Sequence, residues 1–250
     1  KDIHMKAIIL AAGQGSRLKP KTDNLPKCLV RVKNVPILNY QLEALNRLGI
    51  TECVIVVGFM GDLIRQEAGD KFGDLHISYV DNKYFIETNN IYSLWCAKEY
   101  LADDIILIEG DVLFDRNILS ALVDNIPSNT AVIDDFRSDM DGTVIIRKSG
   151  LASSMVLKSQ QGKDFDYSNA FKTVNIYSFD GSTMQQYLIP ALDTWVGEGF
   201  TNEFYEAAIA DLIAHNAIEL ETQHVGKNRW VEIDTIDDLE KAESAINYFS

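Results

Sequence analysis

The sequence predicts an α/β fold in which a doubly wound, mostly parallel sheet carries a small antiparallel insertion or lid. Two observations predict this fold. Buried strands and helices alternate over roughly the first 135 of the 250 residues, a pattern typical of parallel sheets. After Asp135, three strands follow one another without intervening helices. Because 46% of the residues are hydrophobic, the chain can bury a large core, and we expect one domain over residues 5–250.

The alternating half begins with the apolar run KAIILAA, which is typical of a strand buried on both faces. In the first helix, apolar residues recur at helical spacing between Pro36, which suits a first turn, and Gly49, which suits a C-terminal stop. The same reasoning assigns the elements that follow. The predicted strands are residues 6–12, 52–58, 76–82, 104–114 and 129–135, and the predicted helices are residues 36–49, 62–72, 90–101 and 116–126.

The second half contains the predicted insertion and lid, at about residues 136–230. Residues 1–4 precede Met5 and are interpreted as a remnant of an expression vector. The elements expected after Asp135 are strands at 142–148, 151–157 and 171–179, helices at 181–194 and 203–215, a late strand at 229–235 and a closing helix at 236–249.

The net charge of −14 argues against some partners. A chain this acidic repels a phosphate backbone, so we expect no nucleic-acid partner. No run of about 18 apolar residues occurs, so we expect no membrane partner either. The three cysteines indicate neither a disulfide framework nor a metal site, which favours the reducing cytoplasm; they are Cys28, Cys53 and Cys96.

A glycine-rich loop with several cations follows the first strand, in ILAAGQGSRLKPKTDNLPK. Gly13 and Gly15 leave backbone N–H groups unshielded, and such a loop can wrap a triphosphate with amide donors. Arg17 adds a planar fork of positive charge, and Lys27 adds a point charge. The loop is neither a Rossmann fingerprint, since Leu18 replaces the third glycine, nor a Walker loop. A purely structural turn would explain the glycines but not the row of cations.

The segment GQGSRLKPKTDNLPK matches the pattern G-x-G-[ST]-R-[LM]-x-P-x-[ST]-x-x-x-P-K, and the chain thereby resembles the nucleotidyltransferases that act on sugar phosphates and related phosphomonoesters. The segments NNIYSLWCAKEYL, IEGDVLF and WVEIDTIDDLEKAE resemble the phosphocholine cytidylyltransferases. MDGTVI, KTVNIYSF and NEFYEAAI resemble still more closely the phosphonate cytidylyltransferases, which activate 2-aminoethylphosphonate with CTP. The resemblance implies the Rossmann-like sheet of the nucleotidyltransferases and a Mg²⁺-dependent reaction.

Two aspartates are the Mg²⁺ ligands that the resemblance implies. Asp111 follows a buried strand beside a glycine, where packing poorly explains a carboxylate. Asp234 comes from the late strand, and its alternative role is to cap the closing helix together with Thr235. Glu109 and Glu232 each lie two residues before an aspartate and therefore point to the same face of the strand, which suits a supporting role.

Charge and the resemblance together assign the catalytic residues. We expect Arg17 and Lys27 to neutralise the β- and γ-phosphates, and Lys172 to hold the phosphoryl group of the acceptor, unless it is an ordinary surface lysine. Asn89 and Asn90 are candidates for reading the base, although either could also cap a helix. The predicted nucleotide-binding residues are Leu10, Ala11, Ala12, Gly13, Gly15, Ser16, Arg17, Lys27, Asn89 and Asn90.

The predicted acceptor pocket combines aromatic and acidic residues, because aromatic faces and carboxylates hold a cationic amine well. A hexose pocket more often needs amides and hydroxyls. The composition therefore favours an amine-bearing phosphomonoester or phosphonate, although the aromatic residues also suit the core. The predicted acceptor-binding residues are Asp139, Asp141, Glu203, Tyr205, Glu206 and Trp230.

The leading hypothesis is a Mg²⁺-dependent cytidylyltransferase that transfers CMP from CTP to 2-aminoethylphosphonate or phosphocholine and releases pyrophosphate. One alternative is a hexose-1-phosphate nucleotidyltransferase that uses UTP or dTTP. The other is an inactive regulatory subunit that binds nucleotide, although Arg17, Lys27 and both aspartates are present. The sequence leaves open whether the chain forms a homodimer and whether it is fused to another enzyme domain.

Overall fold

The computed structural model describes residues 5–124 and 128–245. The predicted vector remnant at 1–4 lies outside the described residues, as do the ends of two predicted helices, at 125–126 and 246–249. None of the described helices has the length and apolar content needed to cross a membrane.

The elements are β1 (Met5–Ala11), β2 (Arg31–Val32), β3 (Val35–Pro36), α1 (Ile37–Arg47), β4 (Glu52–Val57), α2 (Gly61–Ala68), β5 (Lys71–Phe72), β6 (Leu75–Asp81), α3 (Asn90–Cys96), β7 (Asp104–Glu109), β8 (Val112–Phe114), α4 (Arg116–Asp124), β9 (Thr130–Asp135), β10 (Val144–Lys148), β11 (Leu151–Val156), β12 (Ala170–Phe179), α5 (Gly181–Thr183), α6 (Ile189–Gly197), α7 (Tyr205–Ala214), β13 (Glu221–His224), β14 (Trp230–Glu232) and α8 (Ile236–Ala245).

Four parallel strands form the centre of a ten-stranded sheet, in the order β7-β1-β4-β6. Along β1, Ala7 and Ile9 pack into the apolar core on one face of the sheet, while Ile8 and Leu10 pack into the core on the other face. Both faces of the strand are therefore shielded from water, which explains the uninterrupted apolar run in its sequence.

The second half of the chain extends the same sheet. β12 pairs antiparallel with β7, and the sheet continues from β12 through β9, β13, β11 and β10. The predicted α/β fold is confirmed, and its antiparallel strands are part of the main sheet. β13 was not predicted, because its residues ETQH lack the apolar pattern of a strand, yet it lies parallel to β9.

Four predicted elements differ clearly from the observed ones. The helix predicted over 90–101 ends at Cys96, and a 3₁₀ turn follows at Lys98–Tyr100. The helix predicted over 62–72 ends at Ala68, because Gly69 takes a positive φ of 67°, and β5 follows. The strand predicted over 104–114 divides at Gly110 and Asp111, and its second part, β8, leaves the main sheet to pair with β14. The helix predicted over 181–194 consists of α5, a π-helical turn at Met184–Leu188 and α6.

The strand order creates a crevice at the carboxyl end of the central strands. From β1 the chain passes to β4 on one side, and it later reaches β7 on the other side of β1. Ligands of open α/β sheets bind where the strand order reverses in this way. The Gly110 amide donates a hydrogen bond of 2.9 Å to the Leu10 carbonyl oxygen, which keeps the two strand ends side by side.

Candidate active site

A cleft of about 1080 Å³ opens at the carboxyl ends of β1 and β7. Two predicted acceptor residues do not line it: Glu203 is exposed, and Tyr205 is fully buried with its ring edge-on to Tyr177. The predicted residues that do line it are Leu10, Ala11, Ala12, Gly13, Gly15, Ser16, Arg17, Lys27, Asn89, Asn90, Asp111, Asp139, Asp141, Lys172, Glu206, Trp230 and Asp234.

The glycine-rich loop is anchored by its own contacts. Gly15 has a left-handed conformation with a φ of 65°, and its carbonyl oxygen accepts a hydrogen bond of 2.7 Å from the Thr22 hydroxyl. Leu18, which follows in a short 3₁₀ turn, is fully buried and fixes the loop to the apolar core. A Cβ atom at Gly15 would lie only 2.9 Å from the Cβ atom of Lys27. The loop and Lys27 are therefore packed against each other, which requires glycine at this position.

Lys27 lies between the two candidate metal-binding aspartates. Its Nζ atom is 2.5 Å from Asp111 Oδ2 and also donates a hydrogen bond to Asp234 Oδ1. Arg17 Nη2 lies 2.9 Å from the same Asp234 oxygen. Burial disfavours the charge on Lys27, but the two carboxylates outweigh this effect and hold its pKa above the usual value. Four charged residues from three distant parts of the sequence thus meet at one point of the cleft.

A short two-stranded sheet brings the two aspartates together. β8 and β14 pair antiparallel, so that Val112 lies opposite Glu232, and the Ile233 amide donates to the Asp111 carbonyl oxygen at 3.0 Å. Gln41 of α1 supports the turn that carries Asp111, because its Nε2 atom donates to the carbonyl oxygens at both ends of that turn, at 2.9 and 2.8 Å.

The helix-capping alternative for Asp234 is not what the structure shows. Asp238 Oδ2 accepts hydrogen bonds from the backbone amides of Asp234 and Thr235, at 3.2 and 2.9 Å. The Thr235 hydroxyl in turn accepts a hydrogen bond of 3.3 Å from the Asp238 amide. Thr235 and Asp238 therefore cap α8 reciprocally, which leaves the side chain of Asp234 directed to Lys27 and Arg17.

The carboxylates at this point have the chemistry of a Mg²⁺ site. One ligand oxygen from each of Asp111, Glu232 and Asp234 lies within 4.8 Å of the others. Asp111 Oδ1 is buried and has no hydrogen-bond partner among the described residues, so it is free to bind a cation. Mg²⁺ prefers such carboxylate oxygens. The residues present therefore fit a divalent ion. Glu232 lies close enough to the two aspartates to be a ligand itself, whereas its position in the sequence suggested only a supporting role.

Lys172 is buried rather than on the surface, with 2% of its area exposed. Its Nζ atom lies 3.5 Å from Glu232 Oε2, 2.6 Å from the Thr173 carbonyl oxygen and 5.8 Å from the centre of the Trp230 ring. The contacts hold the ammonium group against the wall of the cleft. Asn175, which sequence reasoning missed, also lines the cleft and donates to Glu232 Oε1 at 3.2 Å. The signal was an amide side chain between the apolar Val174 and Ile176 of β12.

The two asparagines at the start of α3 have different contacts. The Asn89 side chain accepts a hydrogen bond from the Asn90 amide and so caps α3. Asn90 Nδ2 donates to Glu109 Oε1 at 2.9 Å, and its Oδ1 atom accepts a hydrogen bond of 2.8 Å from the Tyr205 amide. Asn90 therefore links the starts of α3 and α7 to the end of β7.

Residues 7–168 match the family described as MobA-like NTP transferase domain. The chain belongs to this family. Among curated relatives, the CMP-5'-(3-aminopropyl)phosphonate synthase of Streptomyces rubellomurinus is 30% identical over 96% of the chain and 38% of its own length. The choline-phosphate cytidylyltransferase of Streptococcus pneumoniae is 41% identical over 44% of the chain and 46% of its own length. The chain thus matches less than half the length of either relative.

Solved structures of other NTP transferases have the same fold. The CTP:phosphocholine cytidylyltransferase of Streptococcus pneumoniae superposes with a TM-score of 0.76 at 25% identity, over 98% of the chain and all of that structure. The inositol-1-phosphate CTP transferase of T. maritima superposes with a TM-score of 0.78 over 99% of the chain and 96% of that structure, at 21% identity. The second likeness concerns the fold alone.

Proposed function

We propose that the chain is a Mg²⁺-dependent cytidylyltransferase that transfers CMP from CTP to an amine-bearing phosphonate or phosphomonoester and releases pyrophosphate. The observation that carries the proposal is the meeting of Lys27, Asp111 and Asp234 beside the glycine-rich loop. 2-Aminoethylphosphonate and phosphocholine are the proposed acceptors. We place the reaction in the cytoplasm, since the three cysteines are free thiols.

The choice of CTP rests on the relatives. One is named as a synthase of a CMP-linked aminopropylphosphonate and another as a choline-phosphate cytidylyltransferase, so each name joins cytidylate to an amine-bearing acceptor. A glucose-1-phosphate thymidylyltransferase of Streptomyces antibioticus is also 38% identical, but over only 43% of the chain. The hexose-1-phosphate alternative therefore remains the second candidate.

In the proposed reaction, the residues of the cleft must hold two anions, CTP and the acceptor, close to each other. A phosphonate or phosphate oxygen attacks the α-phosphorus of CTP in line, and pyrophosphate leaves. Because that oxygen is already an anion, the reaction needs no general base. In this proposal Arg17 and Lys27, which now pair with carboxylates, exchange these partners for phosphate oxygens, and Lys172, which lines the same cleft, contacts the acceptor's phosphoryl group. Such fixed charges lower the barrier because they need no reorganisation during the reaction.

Asp111 and Asp234, with Glu232 beside them, would hold the Mg²⁺ ion. When bound, Mg²⁺ supplies Lewis-acid charge that offsets the negative charge of the phosphates.

A pyrophosphate-release assay with the full chain and Mg²⁺ tests the proposal, with each nucleoside triphosphate paired with each acceptor. We expect release with CTP together with 2-aminoethylphosphonate or phosphocholine. Turnover of glucose 1-phosphate with UTP or dTTP, without turnover with CTP, would instead favour the hexose-1-phosphate alternative. Binding of CTP without release from any acceptor would favour the regulatory alternative.

A further inference from the structure

Three carboxyl groups and one ammonium group line the cleft next to the proposed metal site. We call Glu109, Glu206, Glu232 and Lys172 the acidic pocket. These three carboxyl groups face a single ammonium group, that of Lys172, whose Nζ atom lies 3.5 Å from Glu232 Oε2. The acidic pocket therefore has more negative than positive charge among its own side chains and favours a cationic ligand.

Glu206 is the member of the acidic pocket that lacks a full set of hydrogen bonds. It is 4% exposed, and its Oε2 atom is buried without a hydrogen-bond partner among the described residues. Glu109 and Glu232 accept hydrogen bonds from the side-chain amides of Asn90 and Asn175. Asn90 also stabilises the Glu206 carboxylate, which leaves Oε2 as the atom of Glu206 to which no described residue donates. Burial raises the pKa of Glu206 to about 7. A buried acceptor without a donor is costly, so its place on the cleft wall points to a donor that arrives with the ligand.

Among the described residues, one aromatic ring of the cleft, that of Trp230, contacts the acidic pocket, and its face is turned to Lys172. Within the described part of the chain, the aromatic residues that line the cleft are Phe85, Phe204 and Trp230. The Trp230 ring already contacts the ammonium group of Lys172, while Phe204 is 47% exposed and Phe85 packs against Phe59. A quaternary ammonium is held by aromatic faces and has no N–H group to donate. It would leave Glu206 Oε2 without a partner.

We propose that the acidic pocket binds the acceptor as a zwitterion: Glu206 Oε2 accepts a hydrogen bond from the acceptor's primary ammonium group, while Lys172 keeps its proposed contact with the phosphoryl group. The chain therefore prefers aminoalkyl phosphonates or phosphates to their trimethylammonium counterparts, such as phosphocholine. The inference rests on the proposed function for the reaction, and it adds the class of amine and the residue that selects it.

Calorimetry on the full chain, with Mg²⁺ and a non-hydrolysable CTP analogue present, tests this preference. The two ligands are 2-aminoethylphosphonate and its N,N,N-trimethyl derivative, which differ only in the methyl groups on nitrogen. We expect the primary amine to bind at least about tenfold more tightly, as for a hydrogen bond to a charged group. Equal or tighter binding of the trimethyl derivative would overturn the inference.

The substitution Glu206→Gln tests the residue, because it keeps the size and removes the charge. We expect 2-aminoethylphosphonate to bind about tenfold more weakly, while binding of the trimethyl derivative changes by less than about threefold. Glu219→Gln, at an exposed position outside the cleft, is the matched control and should change neither affinity. An unchanged melting temperature and CTP-analogue affinity would exclude misfolding. Equal weakening of both ligands by Glu206→Gln would mean that Glu206 is only structural and would refute the inference.

Turnover separates this inference from the proposed function. Selective binding of the primary amine, without pyrophosphate release from CTP and any acceptor, would refute the proposed function and support the pocket assignment. Pyrophosphate release with a preference for the trimethyl derivative would support the proposed function and refute the pocket assignment.

Discussion

Lys27 neutralises two carboxylates that would otherwise repel each other. Asp111 and Asp234 both contact its ammonium group, and Arg17 contributes a further positive charge. The ammonium group lies in the position between the carboxylates that a divalent ion would also favour. Under the proposed function, metal and lysine compete for the same oxygens, and we expect the phosphates of a nucleotide to resolve this competition by attracting the lysine away.

Replacing Lys27 with methionine should therefore change metal binding before any nucleotide is present. We expect the Lys27→Met chain to bind Mn²⁺ roughly tenfold more tightly than the unchanged chain, because the competing cation is gone. Calorimetric titration of the nucleotide-free chain measures this affinity. Lys19→Met, which removes an exposed lysine paired with Asp23, is the control. Equal or weaker Mn²⁺ binding by Lys27→Met would contradict the competition.

Asp111 should be needed for turnover but not for folding. We expect Asp111→Asn to lower kcat in the pyrophosphate assay by about 10²- to 10³-fold, because the change removes an anionic ligand next to the reacting phosphates. Asp62→Asn, at a fully exposed helix position, should leave kcat unchanged. Substantial turnover by a folded Asp111→Asn chain in Mg²⁺ would refute the metal assignment.

At the level of elements, the site depends on two short connections, the glycine-rich loop and the turn between β7 and β8. The loop positions Lys27 through the contact at Gly15, and the turn positions Asp111 through the contacts of Gln41. Each connection can be altered without replacing a charged residue of the site.

Gly15→Ala should both destabilise the chain and weaken CTP binding, because the added Cβ meets Lys27 as well as a left-handed backbone. We expect a loss of about 2–3 kcal/mol in the free energy of unfolding, against about 1 kcal/mol for Gly49→Ala. Gly49 also has a positive φ, but open space surrounds its Cβ position. Chemical denaturation measures the stabilities, and calorimetry measures the CTP affinity. Equal effects of the two changes would argue against the contact with Lys27.

Gln41→Leu should loosen the turn that carries Asp111. The change removes the side-chain donor of two carbonyl oxygens, one in a buried and one in a partly buried hydrogen bond, so we expect the free energy of unfolding to fall by about 1–3 kcal/mol and kcat to fall with it. Gln185→Leu removes a comparable hydrogen bond, of 2.7 Å to the Ala102 carbonyl oxygen, at the surface and should cost less than about 0.5 kcal/mol. If the two changes proved equally mild in denaturation, Gln41 would not be an anchor of the site.

Element boundaries limited the prediction of the acceptor site. The helix expected over 203–215 begins at Tyr205, and successive residues of a helix point in directions about 100° apart. Tyr205 consequently faces the core, while its neighbour Glu206 lines the cleft. The sequence offers an aromatic and an acidic residue side by side, and only the packing of α7 decides which of them faces the cleft.

At the scale of the whole molecule, the parallel centre of the sheet could be predicted and the antiparallel part only partly. The central strands are apolar throughout because they are buried on both faces, so each is recognisable in isolation. β8 and β14 fall within the strands predicted over 104–114 and 229–235, but they pair across a large separation in sequence, so no local pattern reveals the pairing. That pairing brings Asp111 close to Asp234. The resemblance of the motifs implied that the two aspartates lie together, but the local sequence pattern did not.

The central claim is that one triphosphate is held where the loop, Lys27 and the two aspartates converge. A crystal structure of the full chain with CTP and Mg²⁺ tests it most directly. We predict that the α-phosphate lies beside a metal ion bound by Asp111 and Asp234, with the Lys27 ammonium group moved onto a phosphate oxygen. A nucleotide bound elsewhere, or a metal ion that does not contact these two aspartates, would contradict the account.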